Sequence, residues 1–264
     1  MAMTVAGLRE AVGSLAPEAL AEEWDNVGLL VGRADRSVDR VLIALDLRAQ
    51  TVEEAVGRGA QAIVTHHPPI FPSAAAVTDV EPSTARVLEA AEAGIAVIAA
   101  HTNLDAAPGG LNDIMAAALG MTDARPLVPA ELDGAGLGRV GRVAPTTLGA
   151  IAEVARQAFG AALARRTGDA DSTVETVACC TGSGAGLIDA ARKAGVDAYI
   201  TGDLKYHDAD RAGDLPLVDL PHADVEGHAM RVWSEGLAAA LTSSGVAVGF
   251  TERGSDPWTA LAPI

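Results

Sequence analysis

The chain has 264 residues, enough for one large or two modest domains that bury their own cores, so a bound metal would serve function rather than rescue a small fold. A formal charge of −16 and only two lysines, Lys193 and Lys205, disfavour duplex DNA or any other polyanionic partner, and aromatics at 3% do not suit a base-stacking surface. Anionic small molecules stay open as substrates if metal ions supply the positive charge.

Met1 to Glu10 carries no basic segment followed by an apolar stretch, and no run of about 18 apolar residues occurs, so neither a leader nor a membrane span is expected. The only cysteines, Cys179 and Cys180, are adjacent in an apolar run. They read as core residues of a protein kept in a reducing, cytoplasmic compartment rather than as a disulfide framework.

In chain order, residues 24–28 (Trp-Asp-Asn-Val-Gly) join a helix to a strand, and Asp25 suits either an Asx turn or an acid standing behind a site. Residues 41–45 are a predicted strand, Thr51 a predicted N-cap, and 52–58 a helix. A strand at 62–65, a helix at 83–93 ending at Gly94 and a strand at 95–100 follow. The Gly- and Pro-rich stretch 126–145 is the expected linker. Beyond it come a strand at 174–180, a helix at 187–194 ending at Gly195, a strand at 197–201, a helix at 205–212 and a strand at 215–220.

Strand alternating with helix at this spacing predicts parallel sheet. Residues 59–65 (Gly-Ala-Gln-Ala-Ile-Val-Thr) also look like 195–201 (Gly-Val-Asp-Ala-Tyr-Ile-Thr). The expected fold class is therefore α/β, with two similar lobes over 1–125 and 146–264. Each would be a mostly parallel β-sheet flanked by helices, with a metal site between them.

All six histidines fall at or beyond the ends of predicted strands, where open parallel sheets gather ligands. His66 and His67 leave a strand into Pro68-Pro69, which denies further ladder hydrogen bonds and lets both rings approach one centre. Asp105 sits in the stretch after His101 and offers an anionic oxygen, with His101 or Asn103 able to hold it from behind; alone it is equally a turn residue. His222 and Glu226, four apart after Pro221, share one face of a helix, as a ligand pair or as an ordinary solvated pair. His228 points elsewhere. The five groups His66, His67, Asp105, His222 and Glu226 form a nitrogen and oxygen set suited to two divalent ions of Zn, Fe, Mn, Co or Ni rather than Ca or Mg. Residues 182–186 (Gly-Ser-Gly-Ala-Gly) lack the Gly-Lys-Ser/Thr of a P-loop and read better as a tight turn than as a phosphate cradle.

Five motifs in order, Glu23-Trp24-Asp25-Asn26-Val27-Gly28-Leu29, Thr65-His66-His67-Pro68, His101-Thr102-Asn103-Leu104-Asp105, Thr201-Gly202-Asp203-Leu204-Lys205-Tyr206-His207 and Asp256-Pro257-Trp258, give a resemblance over nearly the whole chain. The sequence resembles the NGG-interacting-factor-three-like proteins, also called dinuclear metal-centre hexameric proteins or GTP cyclohydrolase I type 2 homologues. The resemblance implies a two-metal site on the same five ligands, with His101 and His207 lining the cavity, and a toroidal homohexamer. The family commonly has Gly-His-x-x-Thr/Ser-Glu where this chain has Pro221 before the histidine and Val225 before Glu226, which keeps ligand spacing but loses a hydroxyl.

Two functions follow. One is a metal-dependent hydrolase of nucleotide or related heterocyclic substrates, in which His101 or His207 moves a proton. The alternative is a non-catalytic, metal-binding regulatory or protein-interaction hexamer, which needs the ligands but no proton carrier. GTP cyclohydrolase activity rests on the family name alone.

Overall fold

Apolar runs in the first third of the chain set up a sheet buried on both faces. In a computed structural model that describes residues 2–72, 74–254 and 256–258, α1 (Val5–Leu15) is started by Thr4, whose hydroxyl accepts from Gly7 N–H at 3.2 Å. β1 (Gly28–Val31), β2 (Arg40–Ala44), α2 (Ala49–Gly57), β3 (Ala62–Thr65), α3 (Pro82–Glu92), β4 (Ala96–Ala99) and α4 (Thr102–Ala106) follow. The next run comprises α5 (Leu111–Ala118), β5 (Thr122–Pro129), β6 (Gly136–Thr147), α6 (Leu148–Ala158), β7 (Arg165–Arg166) and β8 (Thr173–Ser183). Then come α7 (Ile188–Ala194), β9 (Ala198–Gly202), α8 (Tyr206–Arg211), β10 (Leu217–Leu220), α9 (His222–Leu241) and β11 (Ala247–Phe250). Among the described residues no helix is long and apolar enough to cross a membrane.

The chain divides into two compact units. The first runs through Ala107 and resumes at Met230, inside α9; the second is Pro108–Ala229 with the stretch that begins at Asp256. In the first unit the sheet order is β1-β4-β3-β2-β11, with β1 antiparallel to β4 and the other pairs parallel. Every residue of β3 and β4 is buried, the mark of a parallel sheet covered by helices on both faces. Leu42, Ile63 and Val97 pack with Val52 and Ala55 of α2 and Val87 and Ala90 of α3 in one core.

The second unit's sheet runs β5-β6-β8-β9-β10-β7. It is mixed: β8, β9 and β10 are parallel, whereas β5, β6 and β7 join antiparallel. Side chains alternate across it as the pleat requires. Val177, Cys179, Ala198, Ile200, Val218 and Leu220 face a core shared with α5 and α6, while Ala178, Tyr199 and Leu217 face a second core with Ile188 and Ala191 of α7.

Three expectations are corrected. Residues 126–145 are no linker: they lie within β5 and β6 and the turn joining them, where the glycines serve close packing rather than slack. A Cβ at Gly136, for example, would run into the Val128 carbonyl of the neighbouring strand. The boundary at 125 is likewise displaced, since 108–125 belong to the second unit and β11 returns to pair in parallel with β2 of the first. Thr51 is buried inside α2, not its cap, and its hydroxyl donates to the Asp46 carbonyl at 3.2 Å.

The registers position the chemistry. Ala44 pairs with Thr65 and Thr65 with Ala99, so β2, β3 and β4 end level, with Asp46, His66, His67 and His101 just beyond. In the second unit Gly202 pairs with Leu220 and with Ser183, so Asp203 and His222 leave level strand ends.

Candidate metal centre

In the first unit His66 and His67 still donate backbone hydrogen bonds to Ala44 and Leu45, at 3.2 and 3.0 Å, and the chain leaves the sheet only at Pro68. The His66 ring is buried and the His67 ring partly exposed, yet their centroids lie 5.2 Å apart. His101, carried just past β4, stands 5.1 Å from the His66 ring and 5.6 Å from the His67 ring.

Each ring is held through Nδ1. That of His66 lies 2.8 Å from the Ala100 carbonyl, that of His67 2.9 Å from Asp46 Oδ1 and that of His101 2.9 Å from Asp25 Oδ1. A carbonyl or carboxylate oxygen only accepts, so each Nδ1 donates and the neutral ring keeps its lone pair on Nε2. One ligand nitrogen from each ring lies within 4.8 Å of the others. Two nitrogens on one ion at about 2.0–2.1 Å stand no more than about 4 Å apart, so this spread suits neighbouring ions or one ion after small ring movements. Asp105, on α4, places Oδ1 3.8 Å from His66 Nε2 and adds the carboxylate.

Asp25 is more than an Asx residue. It accepts from Asn26 N–H at 2.8 Å, from Thr102 N–H at 3.1 Å and from the Thr102 hydroxyl, besides His101. Burial opposes its charge, but the hydrogen bonds from His101, Thr102 and Asn26 outweigh that and hold its carboxyl well below the usual range. Asn103 does not hold Asp105; its Oδ1 accepts from His101 N–H at 2.9 Å and its Nδ2 donates to Ala16 O at 2.7 Å.

In the second unit His222 is the first residue of α9, and its Nδ1 lies 2.9 Å from Asp203 Oδ2. Nε2 lies 2.7 Å from Oε2 of buried Glu226. With Nδ1 donating, that pair sets a ring nitrogen against a carboxylate, an approach that calls for a cation: a proton on the ring or a metal in its place. Gly182, at φ 63°, makes the room, since a Cβ there would overlap the Glu226 carboxylate. The following glycines form a closed turn. Gly184 N–H donates to Thr201 Oγ1 at 3.0 Å and Gly184 O accepts from Tyr199 at 2.8 Å, leaving no phosphate cradle at that residue.

Two histidines depart from the strand-end pattern. His207 is exposed on α8 with its ring edge-on to Tyr206. His228 lies within α9 with its ring edge-on to Phe159. Cys179 is buried, which pushes its thiol up to about 12, and Cys180 Sγ faces the Thr181 carbonyl at 3.2 Å. Sequence reasoning missed Asp46 and gave Asp203 no role. Asp46 had a signal, its place just past β2. The signal for Asp203 is its left-handed φ of 54°, a region in which Asp is enriched and which sequence does not display.

The family model described as Duf34/NIF3 (NGG1p interacting factor 3) matches residues 3–257. The chain belongs to the DUF34/NIF3 family. A relative from Streptomyces coelicolor named "GTP cyclohydrolase 1 type 2 homolog" is 39% identical, over 95% of this chain and 92% of its own length. A Schizosaccharomyces pombe relative, "Protein NIF3 homolog", is 30% identical over 90% of this chain and 91% of its own. A crystal structure of a Bacillus cereus protein related to NIF3 superposes with a TM-score of 0.90 at 25% identity, covering 98% of this chain and 99% of that one. In this DUF34/NIF3 chain Val225 is buried in the second unit's core, so the residue preceding Glu226 serves packing.

Proposed function

We propose that the chain holds two divalent ions of Zn, Fe, Mn, Co or Ni on His66, His67, Asp105, His222 and Glu226, and hydrolyses nucleotide or related heterocyclic substrates there as a toroidal homohexamer. The observation that supports this most is the common anchoring of His66, His67, His101 and His222 through Nδ1, which leaves Nε2 as the atom that would hold a metal. Divalent ions on such a set supply Lewis acidity and bring the acidity of water toward neutral pH.

The chain's own residues do the rest. Asp46, Asp25 and Asp203 orient His67, His101 and His222, and the carboxylates of Asp105 and Glu226 offset cationic charge. His101 sits ring to ring with His66 and His67, so it is an added candidate ligand as well as a proton carrier of this scheme. His207 is the second proton carrier of this scheme; it is exposed on α8, where its ring meets that of Tyr206.

The family description names an interacting factor, which favours a second reading: a non-catalytic, metal-binding hexamer that engages other proteins. Metal analysis of protein purified without chelator, followed by turnover on a broad panel of nucleotides and phosphoesters, decides between them. The hydrolase reading expects about two ions per chain, hydrolysis of at least one panel class, and a His101→Ala variant that loses turnover, with metal kept where the ring only carries a proton and reduced where it is also a ligand. Metal-loaded wild type without turnover on the whole panel supports the second reading, and protein without metal overturns both.

A further inference from the structure

Beside its imidazoles the first unit presents an aromatic wall with no role in holding metal. Trp24 is 56% exposed and Phe71 49% exposed, their ring centroids 5.6 Å apart at an angle of 57°. The Trp24 ring also stands 6.1 Å from that of His101, nearly perpendicular to it at 75°. Both rings are fastened from behind. Asp25, next to Trp24, is tied to His101 and Thr102, and Asn26 Nδ2 donates to the Ile70 carbonyl at 2.8 Å, pinning the loop that carries Phe71 to the segment that carries Trp24.

Large rings left in water forgo the burial that ordinarily pays their way in a fold. This chain has only three Trp, three Phe and two Tyr, yet two of them stand together in solvent at the imidazoles. The count is too small for a surface that tracks a nucleic acid, but enough for one base. We propose that Trp24 and Phe71 are the stacking subsite for the flat heterocycle of the substrate, whose anionic part lies toward His66, His67 and His101.

The assignment deepens the hydrolase reading and rests on it. The 57° corner lets a planar ring lie on one face with its edge against the other, the arrangement aromatic groups favour. A chain of charge −16 repels an anionic ligand at long range, so an uncharged stacking surface supplies affinity that electrostatics outside the metal site would not.

The test is calorimetric titration of metal-loaded protein with guanosine 5′-monophosphate and ribose 5-phosphate, which differ by the base. Stacking on aromatic side chains should give the nucleotide an advantage of about 10-fold or more. Trp24→Ala and Phe71→Ala should each cut that advantage several-fold while leaving metal content and ribose 5-phosphate affinity unchanged, and Trp24→Phe should restore most of it. Equal binding of the two ligands by wild type, or an advantage that survives both alanine variants, overturns the assignment. So does dissociation of the assembly in those variants with the advantage intact, which would make the wall an interface between copies. Guanosine against ribose repeats the comparison without phosphate, so a failure of metal loading is told apart from a failure of the wall.

Discussion

The two units use the same device, level ends of parallel strands, but furnish it differently. Beyond β2, β3 and β4 the first unit sets three imidazoles, two of them backed by a carboxylate and one by a carbonyl, with Asp105 alongside. Beyond β9 and β10 the second sets one imidazole and a buried carboxylate 2.7 Å apart. Both sets orient their rings through Nδ1, but the first brings together three imidazoles and a carboxylate and the second one imidazole and one carboxylate. The number of oriented donors then ranks the two halves as candidate metal hosts.

The largest expected effect tests that ranking. His67→Ala, at a partly exposed ring whose loss leaves the core intact, should lower metal affinity by more than about 100-fold and bring the content of dialysed protein below one ion per chain, since loss of a ligand exceeds loss of its supporting partner. His222→Ala should leave about one ion per chain, held on the first unit's residues alone. Elemental analysis reads both, and the reverse order would break the comparison.

Removing the supporting acids should act more gently. Asp46→Asn and Asp203→Asn keep size but weaken the hold on Nδ1 of His67 and His222, and each should cost about 10–100-fold in affinity for one ion. Competition with a chromophoric chelator measures it. Equal affinity in wild type and Asp46→Asn would show that the carboxylate merely accompanies the ring.

These acids also mark what the sequence could display. His66, His67, Asp105, His222 and Glu226 carry local signals: strand ends, prolines, a four-residue helical spacing. The α/β alternation was equally visible, because β3 and β4 are continuous apolar runs and Gly94 and Gly195 close their helices. Asp203 was hidden because its aim comes from a backbone angle, while Asp46 showed its place at a strand end but not its partner, since the register of β2 beside β3 brings it to His67. The misplaced linker has a similar cause. Glycine in 126–145 reads as slack, whereas Gly136 and Gly141 there let neighbouring strands approach. β11 escaped because nothing local states that residues 247–250 pair with 40–43.

A substitution in the second unit should reach its half-site through the backbone. Gly182→Ala sets a Cβ against Glu226 and holds a non-glycine residue at φ 63°, costing about 1–3 kcal/mol in denaturant unfolding. It should also lower occupancy at His222 while leaving the first unit's ion in place. Adding Glu226→Asp, whose shorter side chain withdraws the carboxylate, should recover the part of the loss due to overlap but not the part due to φ. Full recovery, or none, would show that one of the two causes is absent.

The smallest effect concerns the segments that look alike. Gln61, just before β3, accepts through Oε1 from Asp39 and Arg40 N–H at 2.9 and 3.0 Å, clasping the start of β2. Asp197, just before β9, accepts through Oδ2 from Glu175 and Thr176 N–H at 3.0 and 2.8 Å and from the Thr176 hydroxyl, clasping β8. One clasp is a neutral amide and the other a carboxylate. Burial pushes the Asp197 carboxyl up, but the Glu175 and Thr176 hydrogen bonds outweigh it and hold the group below its usual range. A folded-state value below the unfolded one, about 3.9, gives stability that is complete above that pH and fades as acid brings the pH down through the folded value. Asp197→Gln, which rebuilds the first unit's clasp in the second, should therefore be less stable than wild type at pH 7, and the gap should narrow at pH 3. Denaturant titrations at the two pH values measure it, and a gap of equal size at both would mean that the carboxylate holds β8 by shape rather than by charge.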